Sequence, residues 1–308
     1  MFSYLIRRLL TSLLVLLGVS GLVFSVIHLV PGDVTMAILG RQRVTEERVA
    51  ELRAQLGLDD PLPVQFGRYL GNALSGDLGK SIRTGQPVAA SIATQLPSTA
   101  ALAFAALALA LALGGALGIA AALRHGTWFD TLVMALSVSG LSVPTFWMGL
   151  LLILLFSVQL GLFPSISNSS SPRDLFLPAL TLGLPEAAVV ARMVRASLLD
   201  VLGKEYITAA RAKGLPYRLV ILKHALRNAL IPVVTFAGLQ MAYLLGGATI
   251  VETMFARQGI GRLAVQAIFN RDYPLVQGVV LVTAAVYVLI NTLTDITYVA
   301  INPRIRLK

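Results

Sequence analysis

The chain has 308 residues, 56% hydrophobic and only 13% charged, with a mean hydropathy of +0.78; soluble domains are about half apolar and a quarter charged, so an ordinary soluble protein is excluded. A net charge of +10 and a pI of about 10.3 would suggest nucleic acid in a soluble chain, but here the basic residues gather at the ends of apolar segments, which points to membrane topology instead. There is no cysteine, so disulfides, thiolate-held zinc and iron–sulfur clusters are excluded on this chain.

A bilayer span needs about 20 mostly apolar residues. In chain order the stretches that meet this need run from Leu9 to Val30, Thr99 to Leu123, Thr131 to Val158, Leu177 to Leu198, Ala229 to Val251 and Val276 to Ala300. The first follows Arg7 and Arg8 as a signal peptide would, but its apolar run is too long and no small-x-small cleavage site follows, so it reads as an anchor. Lys and Arg placement sets the orientation: the loop 192–227 carries eight of them and the tail carries Arg304, Arg306 and Lys308, which places both termini in the cytoplasm.

Between the first two stretches, segment 31–98 is too long for a connector. Val49, Leu52 and Leu56 share a helical face, and Phe66, Tyr69, Leu70 and Leu74 mark a second helix over Pro63 to Leu74. The chain therefore divides into an N-tail and first span (1–30), an extracytoplasmic amphipathic subdomain (31–98) and a five-helix membrane core (99–308). Gly114 and Gly118 form a small-xxx-small pair that permits close helix approach. Pro144 should kink the third span, and Pro178 and Pro185 should loosen the fourth. Gly259 and Gly261 break the connection after the fifth span, ahead of an apolar run to Phe269 that fits either a re-entrant gate or a docking surface.

Gly79-Lys80-Ser81 ends like a phosphate-binding loop, but the earlier glycine that motif requires is Leu74. His28, His125 and His224 lie far apart without metal-ligand spacing. No cofactor is expected on this chain, no ATP hydrolysis and no nucleic acid.

The most informative segment is the basic loop at about 200–227. Glu205 to Lys213 reads as a short Ala-rich helix ended by Gly214 and Pro216, followed by a helix returning to the membrane. Small residues on an exposed helix let it lie in another protein's groove; a solvated loop obeying the charge rule is the alternative. Thr208, Ala209, Ala210, Arg211, Lys213 and Gly214 are its candidate functional residues.

At these positions the chain resembles the permease subunits of binding-protein-dependent ABC importers, whose coupling loop carries Glu-Ala-Ala, three residues, then Gly. Ala209, Ala210 and Gly214 match that pattern, Thr208 stands in place of the Glu, and Arg227 stands where many members have a closing Pro. The wording Thr208-Ala-Ala-Arg-Ala-Lys-Gly-Leu215, followed by His224 to Pro232, resembles the dipeptide/oligopeptide/nickel subgroup, and within it the B-type chain. Other motifs agree in order: Pro31-Gly-Asp33, Gly76 to Ser81 with Thr84 to Val88, Arg271-Asp-Tyr-Pro274, and Asn302 to Arg306. The resemblance implies an all-α fold with six spans, of the type I ABC importer permease kind, in the inner membrane. It further implies a second homologous permease, one or two cytoplasmic ATPase subunits that hold ATP and Mg, and an extracytoplasmic binding protein delivering di- or oligopeptides. Beyond the resemblance, Glu186 and Asp295 lie within apolar spans, where an uncompensated charge costs about 2.5 to 3.5 kcal/mol. Both are candidates for the translocation path. A rival reading, an ion-gradient-driven secondary transporter, would use the same two carboxylates for coupling.

Overall fold

The computed structural model describes residues 2–29, 59–167 and 171–301, and apart from one antiparallel bridge between Lys80 and Pro87 its regular elements are helices. They are α1 (Phe2–Leu29), α2 (Leu62–Leu74), α3 (Val88–Leu123), α4 (Trp128–Ser142), α5 (Thr145–Leu152, continued by a π-helical Ile153–Gln159) and α6 (Pro172–Leu202). Next come α7 (Glu205–Ala212), then α8 (Tyr217–Leu219, a π-helical Val220–Ala225 and Leu226–Ala229), α9 (Ile231–Met254), α10 (Ile260–Phe269) and α11 (Tyr273–Ile301). The first expected amphipathic helix, around Val49 to Leu56, falls outside the described residues; the second is α2.

Five helices are long and apolar enough to cross a membrane, and a sixth span results if α4 and α5 are counted together. Those two differ from the single kinked span expected at Thr131 to Val158: they meet at an angle of 109° around Val143 and Pro144. Pro144 supplies no backbone N–H and disfavours helical geometry at Val143, whose φ and ψ are −86° and 123°, so α4 ends there. By contrast Pro178 and Pro185 do not interrupt α6. Their freed carbonyls are tolerated because α4, α5 and α9 all pack against α6, and backbone at membrane depth can be irregular where it faces protein.

Two compact units divide the described residues, one drawn from 1–97 and 262–292, the other from 98–261 and 293–302. In the first, Phe24 of α1 meets Phe66 of α2 with ring centroids 5.4 Å apart, so α2 lies against α1 through the aromatic face the sequence marked. In the second, Leu102, Ala106, Leu152, Leu177, Leu182, Leu244, Val251 and Phe255 form a core shared by α3, α5, α6 and α9. Large apolar side chains elsewhere point outward: Leu14 of α1 is 68% exposed and Leu22 is 70% exposed, which is costly in water and expected against lipid chains.

Helix contact in the second unit is close because it is built on missing side chains. A Cβ on Gly118 would lie 2.5 Å from the Ala191 carbonyl oxygen, one on Gly114 2.8 Å from Val190 Cβ, and one on Gly183 2.6 Å from the Ala106 oxygen. The backbones of α3 and α6 therefore touch along a small-residue seam, which includes the pair marked in the sequence.

Candidate functional site

Segment 203–230 is built on the end of α6. At eight residues α7 is too short to be stable alone. It is held by one face: Ile207 and Ala210 pack on Val220, Ile221, Ala225 and Leu226 of α8 and on Leu198 and Val201 of α6. Full burial of Ile207 contributes about 2 kcal/mol toward that docking. Gly214 takes φ +73°, the left-handed geometry that ends a helix with least strain in glycine, and Asn228 Nδ2 donates to the Tyr206 hydroxyl at 2.9 Å.

The other face of α7 is open. Thr208, Ala209, Arg211, Lys213 and Gly214 are exposed, as are Tyr206, Tyr217 and Leu222, the last at 66%. Ala210 is the exception among the candidate residues: it is buried and belongs to the supporting face. The open face thus combines small residues, aromatic rings and cations on a packed base.

Glu186 is almost fully buried on α6 and hydrogen-bonds to Gln240 of α9. Asp295 is half-buried on α11, where the neighbouring Thr294 hydroxyl donates to the Gly238 carbonyl at 3.1 Å.

Three polar networks escaped the sequence reading. At the start of α4, Asp130 receives Arg195 Nε at 2.5 Å and Nη2 at 2.7 Å, and the Gly126 amide at 3.1 Å. At the other end of the same unit, fully buried Glu252 accepts from the Thr99 hydroxyl at 2.5 Å and lies where a side chain on Gly259 would be. Beside it Arg257 donates to Ser167 Oγ at 2.9 Å; burial pulls its guanidinium below the usual value, opposed by the charges of Glu252 and Asp174. In the first unit, buried Asp272 accepts from Ser81 Oγ at 2.5 Å and from the amides of Ile82 at 3.1 Å, Arg83 at 3.5 Å and Leu275 at 3.4 Å. Arg83 Nη1 adds a 2.7 Å bond to Asn270 Oδ1. Asp272 so joins two of the motifs read in the sequence, and the Ser81 hydroxyl of the apparent phosphate loop is spent on a carboxylate.

A bundle of apolar helices with a broken span and one rigid, basic, open segment defines a membrane subunit that works with other proteins. Comparison with known proteins names the class. Residues 114–307 match the family "Binding-protein-dependent transport system inner membrane component", and residues 1–103 match its companion "Binding-prot-dependent transport system membrane comp, N-term". The "Glutathione transport system permease protein GsiC" of Escherichia coli (strain K12) is 46% identical over 309 residues, covering 100% of both chains. Its counterpart in Pectobacterium atrosepticum is 47% identical with the same coverage. Among solved structures, a chain of the inward-facing MetNI methionine ABC transporter superposes with a TM-score of 0.57 at 23% identity, covering 68% of this chain and 96% of that one. A chain of an amino acid ABC transporter with histidines gives 0.53 at 16%, covering 67% and 91%. These two speak for the fold alone.

The chain belongs to the family of binding-protein-dependent transport system inner membrane components. It is a multi-pass permease subunit of an ABC importer with the type I permease fold, and hydrolysis of ATP falls to partner ATPases. A gradient-driven secondary transporter is not favoured by this membership.

Proposed function

We propose that this permease forms half of the pathway of a small-peptide importer, with both termini in the cytoplasm, segment 31–98 outside, and the open face of α7 as the docking element for an ATPase subunit. The observation that carries the docking assignment is the two-sided character of α7: Ile207 and Ala210 anchor it to α6 and α8 while Thr208, Ala209, Arg211, Lys213 and Gly214 stand free. An element so anchored transmits displacement instead of absorbing it. Two such segments, one from each of two homologous permeases, would meet one or two kinds of ATPase, with an extracytoplasmic binding protein supplying cargo. Glutathione, named for the relatives, is itself a short peptide, so the relatives' cargo and the di- or oligopeptide reading fall in one chemical class.

The test is purification of the tagged chain with its co-expressed partners. Ala209→Glu with Gly214→Glu places two carboxylates on the open face and a side chain at a positive-φ position; the ATPase subunit is expected to be lost from the complex, while the lone chain keeps its thermal stability within about 1 kcal/mol. Retention of the ATPase by the double variant would refute the docking assignment. In reconstituted vesicles, labelled glutathione and a labelled dipeptide are expected to enter in an ATP-dependent manner, and failure of both would remove the peptide cargo.

Glu186 is proposed to meet the cargo's ammonium group when the pathway opens between α6 and α9. Glu186→Gln is then expected to lower uptake of a cationic peptide about tenfold relative to a neutral one, the effect of roughly 1.4 kcal/mol of lost charge pairing. Equal uptake would leave Glu186 with its bond to Gln240 as its role.

A further inference from the structure

The Asp130–Arg195 pair takes no part in the docking face, yet it is built with more care than a surface charge pair. Asp130 is 3% exposed, and both of its oxygens are engaged by one guanidinium. His125 Nδ1 lies 3.1 Å from Asp130 Oδ2 and 3.1 Å from Arg195 Nη2, and Arg124 is drawn to the same turn by its guanidinium over the Phe129 ring at 4.9 Å.

Its position matters more than its strength. The buried residues of α4 are Asp130, Val133 and Ser137, a single stripe at helical spacing. Below the ion pair that stripe consists of a valine and a serine, small side chains that define the register of α4 against α6 less sharply than a bidentate pair does. The bidentate pair supplies what the stripe lacks: it admits one geometry, where small apolar surfaces admit several. A buried pair of this kind adds little net stability over an apolar pair of equal volume, and its best-attested use is to fix register between helices.

Each partner stands on a helix that leads to another feature of the second unit. From Arg195, α6 runs seven residues, about 10 Å of helix, to its end at Leu202 and then into α7. From Asp130, α4 runs to Ser142 and the 109° break into α5. We propose that Asp130 and Arg195 are positioning residues for ATP-coupled transport: their ion pair is the strut that carries displacement of α7 into the broken span α4–α5. This rests on the docking role of α7 given above.

Because the chain lacks cysteine, one spin label can be placed at Ser142→Cys, an exposed residue at the break. The assembled importer, with its ATPases and second permease in lipid vesicles, is examined by electron paramagnetic resonance before and after ATP with vanadate, and its ATP hydrolysis is measured in parallel. In the otherwise unchanged chain the label's spectrum is expected to change on trapping. With Asp130→Asn the change is expected to be lost while the complex stays assembled and hydrolyses ATP within about twofold of the parent rate. With the exchanged pair Asp130→Arg/Arg195→Asp the change should return, and Arg195→Lys, which keeps the charge but loses the fork, should give a reduced change. A parent-like spectral change in an intact Asp130→Asn complex overturns the proposal. So does failure of all three variants to assemble, which would make the pair a folding element only. Absence of the ATPase from the parent complex is a different result and counts against the docking role of α7 instead.

Discussion

Replacing Gly118 by Leu is expected to destabilise the permease by about 3 kcal/mol, the upper part of the range for forcing volume into a packed interior. The reason is that the obstacle is backbone: the new Cβ alone would lie 2.5 Å from the Ala191 carbonyl oxygen and 2.9 Å from Val194 Cβ, and neither can swing aside as a long side chain could. In lipid, where no hydrophobic force drives helices together, the close approach of α3 and α6 is the source of their attraction, so spreading them costs dispersion contacts along the whole seam. Gly115, one residue from the pair's first member, has nothing within 4 Å of its Cβ position. Gly115→Leu is therefore expected to change stability by less than about 0.5 kcal/mol. Thermal unfolding of the two variants in the same detergent separates the explanations: equal losses would mean that helix propensity or insertion, and not the seam, governs the effect.

Asp272→Ala carries the second large effect, again about 3 kcal/mol. It strips the acceptor from the Ser81 hydroxyl and from the amides of Ile82, Arg83 and Leu275 in one step, and a buried donor left without a partner costs about 1 to 3 kcal/mol. Asp272→Asn keeps one acceptor oxygen and should lose about 1 kcal/mol. Ser81→Ala removes one donor to Asp272 and the acceptor of the Thr84 amide, and should fall near the same value. Limited proteolysis across 76–88 reports the local consequence: rapid cutting in Asp272→Ala with slow cutting in Ser81→Ala is the expected order, and equal resistance of all three would refute the role given to Asp272.

What the sequence made legible was whatever a local pattern encodes. Apolar runs marked α1, α3, α6, α9 and α11, the grouped aromatics marked α2, and Gly114 with Gly118 marked the seam. Pro144 announced a disturbance but not its size, because a proline states that a helix must yield and the packing around it decides by how much. Ends were misjudged where helices run past their apolar windows: α9 extends to Met254, which turns Glu252 from a loop residue into a buried one. In the sequence Arg195 carries only the signal of a topological charge and Asp130 falls just before the apolar run from Thr131, so their pairing across 65 residues has no local signal. The same holds for Asp272 and Ser81. For α7 the exposed, small and basic residues were readable in the string, whereas the burial of Ala210 depends on α8 turning back beneath it.

The Asp272 contact has a consequence in time. Ser81 and Asp272 are 191 positions apart, and the first unit draws on both the early and the late parts of the chain. A ribosome adding about 5 to 20 residues per second needs roughly 10 to 40 s to travel that interval. Through that period the amides of Ile82 and Arg83 can be satisfied only by water or by a substitute, while the helices of the second unit are already being made. The loop around Ser81 thus waits for a partner made late in the chain, and a nascent chain halted before Asp272 would leave the Ser81 hydroxyl and the amides of Ile82 and Arg83 without their carboxylate.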